Sequence, residues 1–192
     1  VEYSAPGARV IHFSTIAVYG VRLPGGIIRW KQFYGREKLR CERDAIRSGR
    51  RHGKEVYILR LGHVCGEFQP VTANVRKAVS SGRVAMPGGG ANLSNTVYTA
   101  TIAQAILNIA AGKEKPGIYD LTNVPQLTWK QVCDHEAAKL GASYEIEALP
   151  AGPGSKLAWF ARRFVGGISR PVRAAAQSLL IEIVAVPSTA RP

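Results

Sequence analysis

The sequence has few cysteines, few acidic side chains and no long apolar stretch. Its three cysteines, Cys41, Cys65 and Cys133, form neither a metal-type pair nor an even set for disulfides, which indicates a reducing, cytoplasmic setting. No apolar run approaches the ~18 residues of a membrane span, and no signal peptide is recognisable, so no membrane partner is expected. The shortage of acidic residues leaves 26 Lys+Arg against 13 Asp+Glu, a formal net charge of +13.

A glycine-rich phosphate-binding turn is also missing. Neither Gly-x-x-Gly-x-x-Gly nor Gly-x-Gly-x-x-Gly occurs in the chain, and Gly88–Gly90 lacks the spacing between a strand and a helix that such a turn needs. His135–Glu136 begins a zinc-peptidase pattern, but Lys139 stands where the second histidine would be, so no metal is expected. A dinucleotide site cannot be complete without the missing turn.

The excess positive charge is concentrated in one stretch of the chain. Three- and four-residue steps separate Arg36, Arg40, Arg43, Arg47 and Arg50, so a helix would carry them as one basic stripe. A solvated arginine-rich face is the simpler interpretation, and a module that binds polyanions such as nucleic acid is the alternative. The sequence has no helix-turn-helix, zinc-finger or RNA-recognition signature, so nucleic-acid binding is not expected.

Hydrophobic patterning predicts an α/β chain. Near-continuous apolar runs predict buried parallel strands over 9–15 and 56–61, joined by a long helix over 33–52. Thr128 is the predicted cap of a helix over 129–140. Other predicted helices cover 71–81, 100–112, 155–165 and 171–183, and other predicted short strands lie near 84–86, 96–98 and 118–122.

The stretch Gln32–Lys38 carries a chemical pattern. In a helix the i, i+4 spacing places the Lys38 ammonium one turn from the Tyr34 ring. An ammonium beside a phenol favours the phenolate, as a general acid/base requires. The predicted strand that ends at Thr15 offers a hydroxyl that could hold the oxygen on which Tyr34 acts. Taken alone, the same spacing also fits an ordinary solvated helix face.

Three strings together resemble the extended short-chain dehydrogenase/reductase family, also called the NAD-dependent epimerase/dehydratase family. They are FSTIAVYG at 13–20, YGREK at 34–38 and RLGHVCG at 60–66. The resemblance implies that Tyr34 is the catalytic acid/base, that Lys38 is its activator and a ligand of the cofactor ribose, and that Thr15 orients the substrate carbonyl.

The same resemblance implies further contacts. NAD or NADP is expected at Tyr34 and Lys38 and along the strand end formed by Leu61, Gly62 and Val64. The expected substrate contacts are Thr15, then His63, which departs from the asparagine that the family often has there, and Arg83, which could substitute for the family's diphosphate-binding arginine. Family members usually dimerise through the tyrosine-bearing helix, so a homodimer is implied as well.

The resemblance spans roughly residues 9–145 and covers only the later part of the family pattern. It implies an α/β fold that is the later part of a Rossmann-type doubly wound parallel sheet with a small, mostly helical substrate-binding region. The expected division is 1–70 for the second half of the nucleotide-binding domain and 71–192 for the substrate-binding region, with the strand near 117–122 returning to the main sheet. The missing glycine turn indicates the carboxyl-terminal portion of a longer enzyme.

The expected function is that of a NAD(P)-dependent oxidoreductase or epimerase/dehydratase acting on a carbonyl or hydroxyl of a small molecule or sugar nucleotide. Sugar-nucleotide members commonly carry Arg–Asp and Asp–Asp pairs where this chain has Ser94–Asn95 and Ala100–Thr101, which weakens that substrate class. A polyanion-binding module and a non-catalytic relative are the alternatives.

Overall fold

The computed structural model describes residues 3–5, 7–22 and 29–149. The loop predicted around Pro24 and the two helices predicted after residue 150 lie outside the described residues. The chain divides into two compact units. The first contains the described residues up to Val64 together with Thr96–Val124, and the second contains Cys65–Asn95 and the described residues from Pro125 onward. The expected division at residue 70 stays a prediction.

Strands and helices alternate along most of the described chain. In order they are β1 (Arg9–Thr15), a 3-10 helix (Ile16–Arg22), α1 (Arg29–Arg51), β2 (Glu55–Leu61), β3 (His63–Cys65), α2 (Pro70–Ser80), β4 (Arg83–Pro87), a short 3-10 turn (Gly88–Gly90), β5 (Thr96–Tyr98), α3 (Thr99–Ala110), β6 (Gly117–Leu121), α4 (Trp129–Leu140) and β7 (Glu145–Leu149). None of these helices is long and apolar enough to cross a membrane.

The first unit is built on a parallel sheet with the strand order β1, β2, β6. Its middle strand is apolar and deeply buried at Tyr57, Ile58 and Leu59, as the near-continuous apolar run predicts. Ile109 of α3 completes a small core with Tyr57 and Leu59. The predicted α/β class with a parallel sheet is confirmed.

Helix α1 lies close against β2. A Cβ at Gly49 would collide with the Val56 side chain, so glycine allows the near approach of helix and strand. The helix ends at Arg51, and Gly53 follows with a φ of 61°, a left-handed conformation that glycine adopts at little cost. This close packing fixes the face of α1 that meets the sheet.

The second unit has a larger apolar core. Parallel strands β4 and β7 pair from Arg83↔Glu145 to Pro87↔Leu149. Helices α2 and α4 contribute most of the buried side chains, which are Val75, Ala78, Val79, Val84, Met86, Trp129, Val132, Cys133 and Ala137. Thr128 caps α4 as predicted, in a capping box with Gln131.

Two strands appear where the sequence analysis expected none. The short strand β3 lies within 62–69, where the sequence predicts no strand. Strand β7 over Glu145–Leu149 shows no strict alternation of exposed and partly buried residues. Its backbone partners lie on β4, some sixty positions earlier.

Candidate active site

The candidate site begins at the carboxyl ends of the parallel strands, where open α/β sheets place ligands. The sheet register puts Ser14 of β1 beside Arg60 of β2, and Arg60 beside Asp120 of β6. Three polar side chains therefore form one row across the sheet, one position before the strands end at Thr15, Leu61 and Leu121.

Helix α1 brings Tyr34 and Lys38 to this edge. The Lys38 ammonium lies 5.9 Å from the centre of the Tyr34 ring, one helical turn away, as the spacing predicts. The same ammonium donates a hydrogen bond of 3.2 Å to the backbone carbonyl of Phe13 in β1. Tyr34 is half exposed, so its ring is accessible to a ligand.

Thr15 lies at the end of β1, two residues beyond the carbonyl that Lys38 contacts. Its hydroxyl accepts a hydrogen bond of 3.2 Å from the backbone N–H of Ala17, at the start of the 3-10 helix. This local bond fixes the hydroxyl within its own turn. No direct hydrogen bond joins Thr15 to Tyr34 in the part of the chain that the structure describes.

A buried carboxylate that the sequence analysis did not single out lies beneath the tyrosine–lysine pair. Glu42 follows Lys38 by one turn, accepts a hydrogen bond of 2.5 Å from the Ser14 hydroxyl, and is only 2% exposed. Arg60 donates two further bonds to it, of 3.0 Å from Nε and 2.7 Å from Nη2. Burial alone would raise the pKa of Glu42, but the bonds from Arg60 and Ser14 outweigh it and lower that pKa.

Arg60 also reaches the turn after β1. Its Nη1 donates a hydrogen bond of 2.9 Å to the Tyr19 hydroxyl, and its guanidinium carbon lies 5.1 Å from the centre of the Tyr19 ring. Tyr19 in turn donates a 2.6 Å bond to Asp120. The pKa of Arg60 is raised, chiefly by its hydrogen bonds to Glu42, so the guanidinium stays charged. We call Ser14, Tyr19, Glu42, Arg60 and Asp120 the Arg60 network.

His12 lies in β1 two residues before Ser14, on the same face of the strand. Burial lowers its pKa, the Lys38 charge lowers it further, and the Glu42 carboxylate partly opposes both. Its Nε2 atom is buried and has no hydrogen-bond partner among the described residues. The imidazole is therefore neutral at pH 7, and its pKa depends on the charges of both Lys38 and Glu42.

The remaining predicted site residues fall in different places. The Gly62 N–H donates a 3.0 Å hydrogen bond to the Leu121 carbonyl, and Leu61 packs against the core of the first unit. His63 and Val64 begin β3. Arg83 belongs to the second unit, where it is exposed and lies 3.8 Å from the Glu145 carboxylate.

Part of the basic stripe on α1 is paired within the helix. Arg40 lies 2.8 Å from Glu37, whose side chain is partly exposed. Arg47 lies 3.7 Å from Asp44, and both of these side chains are largely exposed. These contacts agree with a solvated helix face.

The parallel sheet and the polar residues at its strand ends define a Rossmann-type α/β protein. The sequence model of the NAD dependent epimerase/dehydratase family matches residues 2–122, so the chain belongs to that family. The family resemblance is thereby confirmed. No curated protein matches the sequence.

Solved structures share the fold at low sequence identity. RMD from Pseudomonas aeruginosa, complexed with NADPH, is 16% identical with a TM-score of 0.59 over 77% of this chain and 55% of its own. UDP-glucose 4-epimerase from Thermus thermophilus, complexed with NAD, is 22% identical with a TM-score of 0.56 over 91% and 65%. UDP-glucose 4-epimerase from Thermotoga maritima, with UDP-glucose, is 20% identical with a TM-score of 0.56 over 77% and 52%. The chain thus spans between about half and two thirds of these proteins.

Proposed function

We propose that this chain supplies the acid/base residues of a NAD(P)-dependent epimerase, dehydratase or reductase that acts on a carbonyl or hydroxyl carbon of a small molecule. The observation that carries the proposal is the position of Lys38, whose ammonium lies 5.9 Å from the Tyr34 ring and is bonded to the carboxyl end of β1. Membership of the epimerase/dehydratase family over residues 2–122 supports the same chemistry.

Each of three side chains has one task in this proposal. Tyr34 exchanges a proton with the substrate oxygen. Lys38 stabilises the phenolate that the exchange creates, because its positive charge lies beside the ring. The Thr15 hydroxyl accepts from the Ala17 N–H, so its own proton is directed to another acceptor, and the substrate oxygen is the proposed one.

The residues present fit the nicotinamide end of a dinucleotide. The Lys38 ammonium has three donor protons and uses one on the Phe13 carbonyl, which leaves two for ribose hydroxyls. Leu61, Gly62 and Val64 are the further proposed contacts. When bound, the cofactor accepts or returns a hydride at the substrate carbon. The glycine-rich turn that would bind the pyrophosphate does not occur within residues 1–192.

The substrate class is proposed at the level of a small molecule with an oxidisable or reducible carbon–oxygen bond. A sugar nucleotide is a narrower candidate, supported by the UDP-glucose in the Thermotoga maritima structure. Two residues at the positions where sugar-nucleotide members carry charged pairs weaken this candidate. Ser94 is only 1% exposed, and the Thr101 hydroxyl donates a 3.0 Å bond to Asn123. Arg83, whose side chain is exposed, stays a proposed substrate contact only as a substitute for the family's diphosphate-binding arginine.

Replacement of Tyr34 by phenylalanine tests the proposal. The assay uses this chain joined to an amino-terminal glycine-rich dinucleotide-binding segment, with hydride transfer followed by nicotinamide absorbance. Tyr34→Phe should lower turnover by about 10²–10⁴-fold, the contribution of a positioned acid/base. The matched control is Tyr98→Phe, which removes a phenol of similar exposure from β5 and should leave turnover unchanged. Near-normal turnover in a folded Tyr34→Phe protein would show that this chain is a family relative that does not use Tyr34 as its acid/base.

A further inference from the structure

Two separate pieces of the chain carry the proposed catalytic side chains. Thr15 is the last residue of β1 and, with the 3-10 helix that follows it, forms what we call the Thr15 turn, whereas Tyr34 and Lys38 lie on α1. Acid/base chemistry requires that the two pieces keep a fixed relative position, because reacting groups act over hydrogen-bond distances. Arg60 comes from a third element, β2, and contacts both pieces.

The contact with the helix is made through Glu42. Its carboxylate lies on the same face of α1 as Tyr34 and Lys38, since the three follow one another at four-residue steps. Both carboxylate oxygens accept from Arg60, and the Glu42 side chain is only 3% exposed. A bidentate fork of this kind fixes orientation as well as distance.

The contact with the turn is made through Tyr19. This residue belongs to the same 3-10 helix as Ala17, whose N–H donates to the Thr15 hydroxyl. Arg60 donates to the Tyr19 oxygen and lies over its ring, while Asp120 accepts the Tyr19 proton. The phenol is therefore bound from two neighbouring strands.

We propose that Arg60 is a positioning residue that fixes the Thr15 turn and the Tyr34–Lys38 helix relative to each other. The catalytic importance of this arrangement rests on the proposed function. The contacts of Arg60 themselves involve neither cofactor nor substrate. Arginine suits the task because one planar guanidinium bonds Glu42 through Nε and Nη2 and Tyr19 through Nη1. Burying an ion pair costs desolvation free energy, which offsets much of the attraction between the charges. The fixed direction of its hydrogen bonds is therefore the better explanation for the pair.

The test uses nuclear magnetic resonance on the 192-residue chain itself. Hydrogen exchange of the Ala17 amide reports on the Thr15 turn, and the ¹³C resonances of the Tyr34 ring at fixed pH report on the helix. Arg60→Lys keeps the charge but loses the fork. We expect it to move the Tyr34 resonances and to speed Ala17 exchange by about tenfold or more. Tyr19→Phe, which cuts only the contact with the turn, should speed Ala17 exchange and leave the Tyr34 ring unmoved.

Arg76→Lys in the second unit is the matched control. Arg76 also forms a 2.7 Å ion pair with a largely buried glutamate, Glu136, so it controls for the loss of such a pair. It should leave both reporters unchanged. The proposal is overturned if Arg60→Lys leaves either reporter in place, or if Arg76→Lys moves both to the same extent. Failure of the proposed function would appear elsewhere, as retained turnover in Tyr34→Phe.

Discussion

Each of the two units contains an arginine that binds a largely buried glutamate. In the first unit Arg60 lies 2.7 Å from Glu42, and in the second Arg76 lies 2.7 Å from Glu136. Their side chains differ in exposure, at 14% for Arg60 and 29% for Arg76. The remaining partners differ as well, since Arg76 also pairs with Glu67, a carboxylate, whereas Arg60 bonds the phenol of Tyr19.

The surroundings decide what each pair does. Arg76 and Glu136 join α2 to α4 beside the large apolar core of the second unit, so their pairing adds to helix packing that the core already favours. Arg60 lies where parallel strands end, in a unit whose buried apolar cluster is smaller. The same ion-pair chemistry thus supports packing in one unit and the arrangement of polar groups in the other.

The largest difference in stability between the two ion pairs is expected when each arginine is replaced by methionine. Arg60→Met leaves the Glu42 carboxylate buried without its cation, and we expect the free energy of unfolding to fall by about 3–5 kcal/mol. Arg76→Met should cost less, because solvent reaches its site more easily. Urea unfolding followed by exchange of amides in β2 and α4 measures both losses. Equal losses would remove the distinction between the two pairs.

Acid should destabilise the two units over different pH windows. The pKa values of Glu42 and Glu136 are both lowered, since the bonds from arginine outweigh burial. Their contributions to stability are present above the usual carboxyl value of 4.5 and are lost as the pH falls below it. The pKa of His12 is lowered from 6.5, chiefly by burial, so the unfolded state binds that proton more tightly and the first unit weakens from about pH 6.5 downward.

Amide exchange measured against pH in β2 and in α4 checks this prediction. In His12→Asn, the loss of stability that begins near pH 6.5 should disappear from the exchange of β2 amides. The pH dependence of exchange in α4 should stay unchanged. An identical onset in the two elements would contradict the assignment of the early loss to His12.

The capping of α4 offers a smaller test of what stabilises the second unit. Thr128 accepts a hydrogen bond from the Gln131 N–H, and Thr128→Ala should cost about 1 kcal/mol. Thr128→Ser retains the hydroxyl and serves as the control. Helix α3 of the first unit has Tyr98 at its N-cap position and no side-chain cap, so it has no hydrogen bond equivalent to that of Thr128. Thermal unfolding of the two variants measures the difference.

The smallest effect is expected at the exposed arginines of α1. Arg47 lies 3.7 Å from Asp44, and both side chains are more than 70% exposed. Arg47→Ala should therefore change stability by less than about 0.5 kcal/mol. A loss comparable to that of Arg60→Met, measured in the same urea experiment, would show that this face is packed against something other than water.

Much of the architecture could be predicted locally. The apolar runs at β1 and β2 and the cap at Thr128 are short-range signals, and the structure contains each of these elements. The i, i+4 spacing of Tyr34 and Lys38 follows from helix geometry alone. The catalytic roles of these residues stay predictions, because the geometry of the chain without a ligand contains no reacting atom.

The sequence by itself determined the α/β class, the long helix and the tyrosine–lysine pair, because periodicity and helical spacing act over a few residues. Tertiary structure alone decided the Arg60 network. Arg60 is 18 positions from Glu42 and 41 from Tyr19, and Tyr19 is 101 from Asp120. Glu42 continues the four-residue steps of Tyr34 and Lys38, but only the register of β1, β2 and β6 brings a hydroxyl and a guanidinium to its carboxylate. A parallel sheet sets that register through distant backbone pairing, which no local pattern encodes.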